Sequence, residues 1–316
     1  MNFKVNQNIL ADLEKRLGPL HSRRRLRIEK HHAGYIISDG INGSHVENWY
    51  SVYLLIRNVL KITGLYWRGL RNTAQIQIRH NRIVHASLPK LFRGFRILQI
   101  SDLHADMSEL AIQRLTEILP EVSYDVCVLT GDYQGKAYLS WEPTLASLAR
   151  VRAVLKEPIY GVLGNHDTTA LLLCLEEMGI RILLNESVAI ERGGERIHFA
   201  GVDDAHYYRT HNIEKAMATI PDDEFSVLLS HTPEIYRQAA YAGCSLMLSG
   251  HTHGGQICLP GGIPIRLNAV LPRHMGAGPW SFHSMIGYTS VGVGVSGVPV
   301  RFNCPPEITL HNLELA

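Results

Sequence analysis

The sequence predicts a layered α/β domain that follows a basic helical extension. From residue 74 onward, short apolar segments of strand length alternate with segments of helical periodicity, a pattern typical of helices packed on a sheet. Several apolar segments are followed at once by a loop that carries His or Asp. The 316 residues suffice for one large domain with an appendage. We therefore assign residues 1–73 to the extension and residues 74–316 to the domain.

The alternation predicts six strands and four helices in the central part of the domain. The predicted strands are residues 95–100, 126–129, 159–162, 198–200, 226–229 and 246–248. The predicted helices are residues 107–119, 142–155, 168–178 and 213–218. Before them, residues 75–80 and 83–86 alternate and predict a hairpin that turns at Asn81. From Ser281 onward the pattern again predicts strands.

The extension carries most of the excess positive charge. Residues 1–95 contain 16 Lys/Arg and 5 Asp/Glu, whereas residues 96–316 contain 15 and 24. Residues 1–30 predict a basic helix, residues 31–46 a loop, and residues 47–62 an amphipathic helix. This last helix either packs on the main domain or lies in a membrane interface with its basic residues on anionic lipids. Nucleic-acid binding is a third interpretation, but no known nucleic-acid module accompanies the charge.

Cysteine usage and apolar run lengths argue against several protein classes. The five cysteines are scattered without a C-x-x-C pair, which argues against a disulfide framework and a thiolate zinc site. Residues 1–20 show no signal-peptide pattern. The most apolar run, residues 50–60, contains Arg57 and is too short to span a bilayer. The sequence therefore predicts a cytoplasmic protein, peripheral at the inner membrane face if the extension binds lipid.

Potential metal ligands occupy five loops, each at the end of a predicted strand. These loops carry Asp102 and His104, then Asp132, then Asn165 and His166, then His231, then His251 and His253. Ligand sites in α/β sheets assemble beyond the carboxyl ends of strands, so these side chains are expected to share one cleft. The D-x-H and H-x-H spacings put the outer two residues on one side of an extended chain. Gly131, Gly164, Gly250 and Gly254 would let the backbone approach the ions closely.

The types of ligand indicate the metals and the reaction. Imidazole and carboxylate ligands without thiolate suit Fe, Mn, Zn or Ni. The set exceeds what one ion can use. With one bridging carboxylate it suffices for two ions about 3.5–4 Å apart, the spacing used for in-line displacement at phosphorus. The sequence therefore predicts a two-metal phosphoester hydrolase whose cofactors are Mn, Fe or Zn.

The order of these motifs resembles that of the calcineurin-like metallophosphoesterases. The blocks D-x-H, G-D, G-N-H-D, a single His and G-H-T-H are all present in that order. The segment GHTHGGQ and the later V-P-V-R are most similar to the bacterial branch that includes the phosphodiesterases YaeI and YkuE. The resemblance covers roughly residues 85–316. It implies the family's α+β four-layer sandwich, in which two mixed β-sheets lie between helices.

The resemblance also implies a role for each motif residue. Asp102, His104 and His253 would hold one metal, Asn165, His231 and His251 the other, and Asp132 would bridge the two. A hydroxide shared by the metals would be the nucleophile. His166 would stabilise the transition state or protonate the leaving oxygen. Asp167 would orient the imidazole of His166.

Possible substrate contacts lie outside these motifs. His206, Tyr207, Tyr208 and Arg209 follow a predicted strand, and Arg301 could meet a phosphate. The basic extension favours a substrate at a membrane face. A similar-family enzyme cleaves UDP-2,3-diacylglucosamine, so a lipid-linked diphosphate of this kind is the leading candidate. Soluble nucleotides or a nucleic acid are alternative substrates. A non-catalytic scaffold is the alternative of another class, which the complete ligand set and His166 disfavour.

Overall fold

The secondary structure is taken from a computed structural model, which describes residues 7–38, 50–135 and 140–316. The helices are α1 Gln7–Leu17, α2 Pro19–Ser38, α3 Tyr50–Ile62, α4 Leu65–Asn72, α5 Glu109–Ile118, α6 Glu142–Arg152, α7 Ala170–Glu177, α8 Ile213–Met217 and α9 Tyr236–Tyr241. The strands are β1 Gln77–His85, β2 Arg96–Ile100, β3 Val126–Leu129, β4 Ile159–Gly161, β5 Arg181–Ile182, β6 Glu186–Arg192, β7 Glu195–Gly201, β8 Ser226–Leu229, β9 Leu246–Ser249, β10 Cys258–Leu259, β11 Ile263–Pro264, β12 Gly278–Phe282, β13 Met285–Thr289 and β14 Glu307–Leu315. The six strands and four helices predicted from residue 95 to residue 248 are confirmed, with ends shifted by at most three residues.

The larger strands form two six-stranded mixed sheets. The strand order is β1-β14-β2-β3-β4-β5 in the first sheet and β12-β13-β9-β8-β7-β6 in the second. Strands β2 to β5 are parallel to one another, and so are β7, β8, β9 and β13. The loops that follow the central parallel strands of each sheet therefore emerge at one edge of that sheet.

The central strands are apolar throughout because both of their faces are buried. In β3, Val126 and Val128 pack between the two sheets, whereas Cys127 and Leu129 pack against the helices that cover the first sheet. In the second sheet, Leu228 packs on the opposite side, with α8 and α9. Alternate side chains point to opposite faces of a strand, so an unbroken apolar run fits a sheet covered on both sides. The predicted four-layer arrangement of two sheets between helices is confirmed.

The predicted hairpin near residue 80 is wrong. Residues 77–85 form one continuous strand, β1, which runs parallel to β14. Asn81 lies within this strand and pairs with His311 of β14, and its side-chain amide donates to Nδ1 of that histidine, at 3.0 Å. A true hairpin that the sequence analysis missed joins β6 to β7, and its turn consists of Gly193 and Gly194, both with positive φ.

The extension begins with two helices that pack on the main domain. Gly18, with φ of 80°, separates α1 from α2, where the sequence predicted one helix. Leu13 and Leu17 of α1 are buried in the core that lies under α5, α6 and α7. Helix α2 continues to Ser38, so the first part of the predicted loop is helical, and residues 39–49 lie outside the described residues. The boundary between residues 73 and 74 stays a prediction.

Helix α3 covers most of the predicted amphipathic helix, and α4 follows it after Gly64. Much of the apolar surface of α3 and α4 is exposed, with Leu55 at 63%, Ile62 at 86% and Trp67 at 61%. Within the described ranges, every helix falls short of the combination of length and apolar character that crossing a bilayer requires.

Candidate metal centre

Six of the predicted ligands form two compact clusters. Asp102, His104 and His253 form the first, and Asp132, His231 and His251 form the second. Within each cluster the potential ligand atoms all lie within 4.8 Å of one another. All six side chains are buried. The loops after β2 and β3 of the first sheet and after β8 and β9 of the second therefore meet in one site.

Asp132 lies between the two clusters. Its Oδ2 is 3.5 Å from Nε2 of His104 and 3.3 Å from Nε2 of His231. Asn165, from the loop after β4, places its Oδ1 2.9 Å from the same nitrogen of His231. A carboxylate oxygen in this position can contact an ion in either cluster, as expected for a bridging ligand.

Hydrogen bonds to backbone carbonyls fix the tautomers of three of the four imidazoles. Nδ1 of His104 donates to the carbonyl of Gln134, and Nδ1 of His231 donates to that of Thr130. Nε2 of His251 donates to the carbonyl of Asn268. The opposite nitrogen of each ring points into the site, where it can offer its lone pair to a metal ion. This arrangement is typical of histidines that bind metal.

The imidazole nitrogens that point into the site face one another in pairs. Nε2 of His104 lies 3.1 Å from Nε2 of His253, and Nδ1 of His251 lies 3.2 Å from Nε2 of His231. In each pair the two nitrogens are close enough for one cation to contact both. The residues therefore fit two divalent ions, one in each cluster.

The electrostatics of the two clusters also suit cations. Burial lowers the pKa of His104 to about 4, so its imidazole is neutral near pH 7, as a ligand must be. Burial would also lower the pKa of His231, but the carboxylates of Asp132, Asp102 and Asp204 together outweigh it and raise that pKa to about 10. The site thus stabilises a positive charge beside Asp132, which is the condition for binding a metal ion.

The backbone of the ligand loops is strained. Asp102, His104, Asp132, His251 and His253 all have positive φ, between 37° and 74°. Such conformations are uncommon for non-glycine residues and cluster at functional sites. The D-x-H and H-x-H spacings therefore work through left-handed turns, and the prediction that these residues alternate along an extended chain is wrong.

Glycines allow the ligand loops to come close together. A Cβ added to Gly164 would lie 2.2 Å from Oδ1 of Asp132, and one added to Gly250 would lie 2.3 Å from Oδ2 of Asp102. Side chains at these two positions would displace the carboxylates. For Gly164 and Gly250, the predicted close approach is thus an approach to the ligand carboxylates.

His166 stands beside the clusters without belonging to either. Its ring lies edge-on to that of His104, with 5.1 Å between centroids, and its backbone N–H donates to Oδ1 of Asp132. Its Nδ1 is buried and has no hydrogen-bond partner in the described structure. The His166 side chain as a whole is only partly buried, so a substrate bound beside the clusters can reach the imidazole by its exposed side.

The orienting role predicted for Asp167 is wrong. Its carboxylate accepts hydrogen bonds from four backbone N–H groups, those of Asp132, Tyr133, Gln134 and Gly164, at 2.8–3.2 Å. Both oxygens are thereby directed at the backbone and away from the imidazole of His166. Asp167 instead fixes the loop after β3 against the loop after β4.

The phosphate contact predicted for Arg301 is also wrong. The side chain is fully buried, and its guanidinium donates to the backbone carbonyls of Val291, Gly292, Gly294 and Cys304. Its Nη2 lies 3.5 Å from Nδ1 of His253, too long to set the tautomer of that ring. Arg301 therefore holds the chain behind the ligands and cannot reach a substrate.

The loop after β7 brings His206 to the rim of the site. The ring of His206 packs on that of His251, with centroids 4.2 Å apart, and its Nδ1 is 2.7 Å from Oε2 of Glu234. Tyr207 is half-buried and Arg209 is exposed, whereas Tyr208 is fully buried. The structure thus brings His206 to the ligands and leaves Tyr208 in the interior.

A residue that the sequence analysis missed ties the extension to this site. Arg25 of α2 is fully buried and forms ion pairs with Glu29 and with Asp203, at 2.9 and 3.0 Å. Its guanidinium also donates to the backbone carbonyl of Asp167 and stacks 3.3 Å above the ring of Tyr208. Helix α2 therefore contacts the loops that carry His166 and His206. The i, i+4 spacing of Arg25 and Glu29 was the available signal.

Replacing Arg25 by Met is expected to lower the free energy of unfolding by about 3–5 kcal/mol, because the buried carboxylates of Glu29 and Asp203 would lose the cation with which both form ion pairs. Denaturant titration followed by circular dichroism measures this change. Arg27→Met is the matched control: Arg27 is exposed on the same helix, and its replacement should change stability by less than about 0.5 kcal/mol. Equal stabilities for the two variants would contradict the importance of the buried ion pairs.

Two sheets between helices, with two clusters of imidazole and carboxylate ligands beyond their strand ends, define a metal-dependent phosphoester hydrolase. The profile of the calcineurin-like phosphoesterase family matches residues 95–255. The chain belongs to this family, and it is a metallophosphoesterase.

Relatives of the chain include bacterial and vertebrate proteins. The metallophosphoesterase YkoQ of Bacillus subtilis is 28% identical over 271 residues, covering 82% of this chain and 98% of YkoQ. YkuE of the same organism is 29% identical, covering 76% of this chain and 86% of YkuE. A transmembrane protein with a metallophosphoesterase domain from Danio rerio is 30% identical, covering 81% of this chain and 60% of that protein. The predicted resemblance to the superfamily and to a bacterial branch is confirmed.

Proposed function

We propose that this chain is a two-metal phosphodiesterase or pyrophosphatase in which Asp132 is shared by both ions. The observation that carries the proposal is the position of the Asp132 carboxylate between Nε2 of His104 and Nε2 of His231. Asp102, His104 and His253 would hold one ion, and Asn165, His231 and His251 the other. Mn, Fe or Zn fits these imidazole, carboxylate and amide donors. When bound, such ions supply Lewis-acid stabilisation of the phosphoryl oxygens and lower the pKa of the attacking water.

The surrounding side chains would bind the substrate and move its proton. His166, whose imidazole is only partly buried and belongs to neither cluster, would donate a proton to the leaving oxygen or a hydrogen bond to the transition state. The Asp132 carboxylate holds the backbone of His166 at 2.9 Å, which keeps the imidazole beside the clusters. His206, held by Glu234 and packed on His251, would contact a phosphoryl oxygen from the other side. Arg209, exposed on the same loop, and the half-buried Tyr207 are further candidates for substrate contacts.

The substrate that we propose is a lipid-linked diphosphate such as UDP-2,3-diacylglucosamine, met at the cytoplasmic face of a membrane. The basic charge of residues 1–73 and the exposed apolar side chains of α3 and α4 support a contact with an anionic membrane. The Danio rerio relative is named as a transmembrane protein, which is consistent with this setting. A soluble nucleotide is the alternative that an experiment can separate.

Phosphorus NMR of UDP-2,3-diacylglucosamine incubated with the protein and Mn²⁺ tests the proposal. We expect the diphosphate resonances to be replaced by those of UMP and a lipid monophosphate, because hydrolysis breaks one P–O bond of the diphosphate. EDTA should stop the reaction, and Mn²⁺ added in excess should restore it, since both clusters need an ion.

Bis-p-nitrophenyl phosphate serves as the control substrate, since it needs the same metal centre but no lipid contact. Hydrolysis of this compound without cleavage of the lipid would discard the lipid-linked substrate and leave the two-metal reaction in place. EDTA-resistant hydrolysis of both substrates would contradict the proposed metal dependence.

A further inference from the structure

A second exposed apolar surface lies on residues 258–270, outside the extension. Leu259 is 51% exposed, Ile263 57%, Ile265 63% and Val270 87%. Leu259 and Ile263 are paired across the β10–β11 hairpin, so their side chains lie on the same face of it. Single exposed aliphatic residues are ordinary, but a cluster of large ones marks a surface that contacts another apolar phase.

This segment is attached directly to the ligand loops of the metal centre. The carbonyl of Asn268 accepts the hydrogen bond from Nε2 of His251, at 2.9 Å. The N–H of Val270 donates to Oε1 of Glu234, the carboxylate that holds His206. A Cβ added to Gly255 would lie 2.6 Å from Cβ of Pro264. The segment that carries the exposed aliphatic side chains therefore adjoins the candidate active site.

The segment also adjoins the apolar surface of α3 and α4. Residues 300–303 lie between them: the N–H of Arg301 donates to the carbonyl of Gly69 on α4, and the N–H of Cys258 donates to the carbonyl of Phe302. A Cβ added to Gly297, in the same part of the chain, would touch the ring of Tyr53 on α3. The hairpin and the two helices are thus joined by one short stretch of chain.

Both surfaces lack negative charge. Residues 50–72 contain Arg57, Lys61, Arg68 and Arg71 but neither Asp nor Glu, and residues 258–270 contain Arg266 and are equally free of acidic residues. Exposed aliphatic and aromatic side chains among basic ones complement the interface of an anionic bilayer, where apolar groups enter the acyl boundary and basic groups meet phosphates.

We propose that residues 50–72 and 258–270 form one membrane-docking surface, which places the rim of the metal centre on an anionic bilayer. The occupant is the lipid bilayer itself. The substrate class that follows is an amphiphile whose phosphoester or diphosphate lies at the level of the headgroups. This inference rests on the proposed function, and it adds the hairpin and the adjoining loop as a second contact beside the site.

Flotation of the full-length protein with lipid vesicles tests the inference. Vesicles of phosphatidylcholine with phosphatidylglycerol should carry the protein upward in a density gradient, and vesicles of pure phosphatidylcholine should carry much less. The double variant Leu259→Glu/Ile263→Glu should lower the partition coefficient at least about tenfold, because two apolar side chains no longer enter the bilayer. Leu55→Glu/Ile62→Glu should lower it in the same way.

The matched control is Leu91→Glu. Leu91 is 47% exposed, but it precedes β2 and lies at the opposite end of that strand from the ligand loop. This variant should float like the unaltered protein. All variants should retain hydrolysis of bis-p-nitrophenyl phosphate, which reports both on folding and on the metal centre.

The outcomes separate the two proposals. If the unaltered protein does not hydrolyse bis-p-nitrophenyl phosphate, the proposed function is contradicted. Intact hydrolysis without flotation would overturn the docking surface, and elution of the same protein as a dimer would assign the apolar surface to a second copy of the chain. Flotation that the hairpin variant leaves unchanged would limit membrane contact to the extension and overturn the inference about residues 258–270.

Discussion

Replacing Asp132 by Asn is expected to lower kcat/KM for bis-p-nitrophenyl phosphate by at least about a thousandfold, because the two clusters share this one carboxylate. Its Oδ2 lies within 3.5 Å of an imidazole nitrogen of each cluster, and no second carboxylate among the described residues has that position. Asn keeps the size of the side chain and can still accept the hydrogen bond from the N–H of His166, which now goes to Oδ1. The substitution therefore removes charge while disturbing the loop little.

Metal analysis tests whether that loss of activity comes from the loss of a bound ion. The metal content of the purified variant, measured by inductively coupled plasma mass spectrometry, should fall below two ions per chain. Asp125→Asn is the matched control, since Asp125 immediately precedes the same strand, β3, at the end away from the site. Its activity and metal content should stay unchanged. An Asp132→Asn protein with two bound ions and full activity would remove Asp132 from the shared position.

Much of the metal centre could be predicted from sequence because each ligand loop follows a short strand that is apolar on both faces. Val126–Leu129 and Ser226–Leu229 have the bounds that the sequence predicted, and their loops deliver Asp132 and His231 to the second cluster. A strand buried on both sides reads as an unbroken apolar run, and the polar residue after it marks where the chain leaves the sheet. Local sequence therefore determined this part of the site.

The wrong predictions for arginines concern side chains whose partners lie far away in the sequence. Arg25 lies in the predicted basic helix with Arg23, Arg24 and Arg27, yet it alone of the four is buried, and it pairs with a residue 178 positions later. Arg301 was assigned to the substrate because a free guanidinium suits phosphate, but backbone carbonyls surround it. Composition cannot tell a solvated arginine from one that the tertiary structure encloses.

The N-terminal extension has two different structural relationships to the main domain. Helices α1 and α2 are part of its packing, because Leu13 and Leu17 are buried in its core and Arg25 contacts the loops that carry His166 and His206. Helices α3 and α4 expose much of their apolar surface. Deleting the whole extension would remove the packed helices together with the exposed ones. Point substitutions on α3 are therefore needed to test membrane contact while the site stays intact.

Replacing His166 by Ala is expected to lower kcat about a hundredfold to ten-thousandfold, the range that general acid–base groups contribute. The metal content should stay at the level of the unaltered protein, because the imidazole belongs to neither ligand cluster. The contact between the backbone N–H of residue 166 and Oδ1 of Asp132 does not involve the removed ring. His80→Ala, at an exposed histidine of β1, is the control and should keep full activity.

Two substrates with different leaving groups distinguish the two roles proposed for His166. A p-nitrophenolate leaves without needing a proton, whereas an alkoxide needs one, so loss of a general acid should slow an alkyl phosphodiester far more than bis-p-nitrophenyl phosphate. An equal loss with both substrates would assign His166 to stabilising charge on the phosphoryl group in the transition state. Undiminished turnover of both substrates would show that the His166 imidazole has no part in the reaction. The next candidate would be His206, an imidazole at the rim that also lies outside the two clusters.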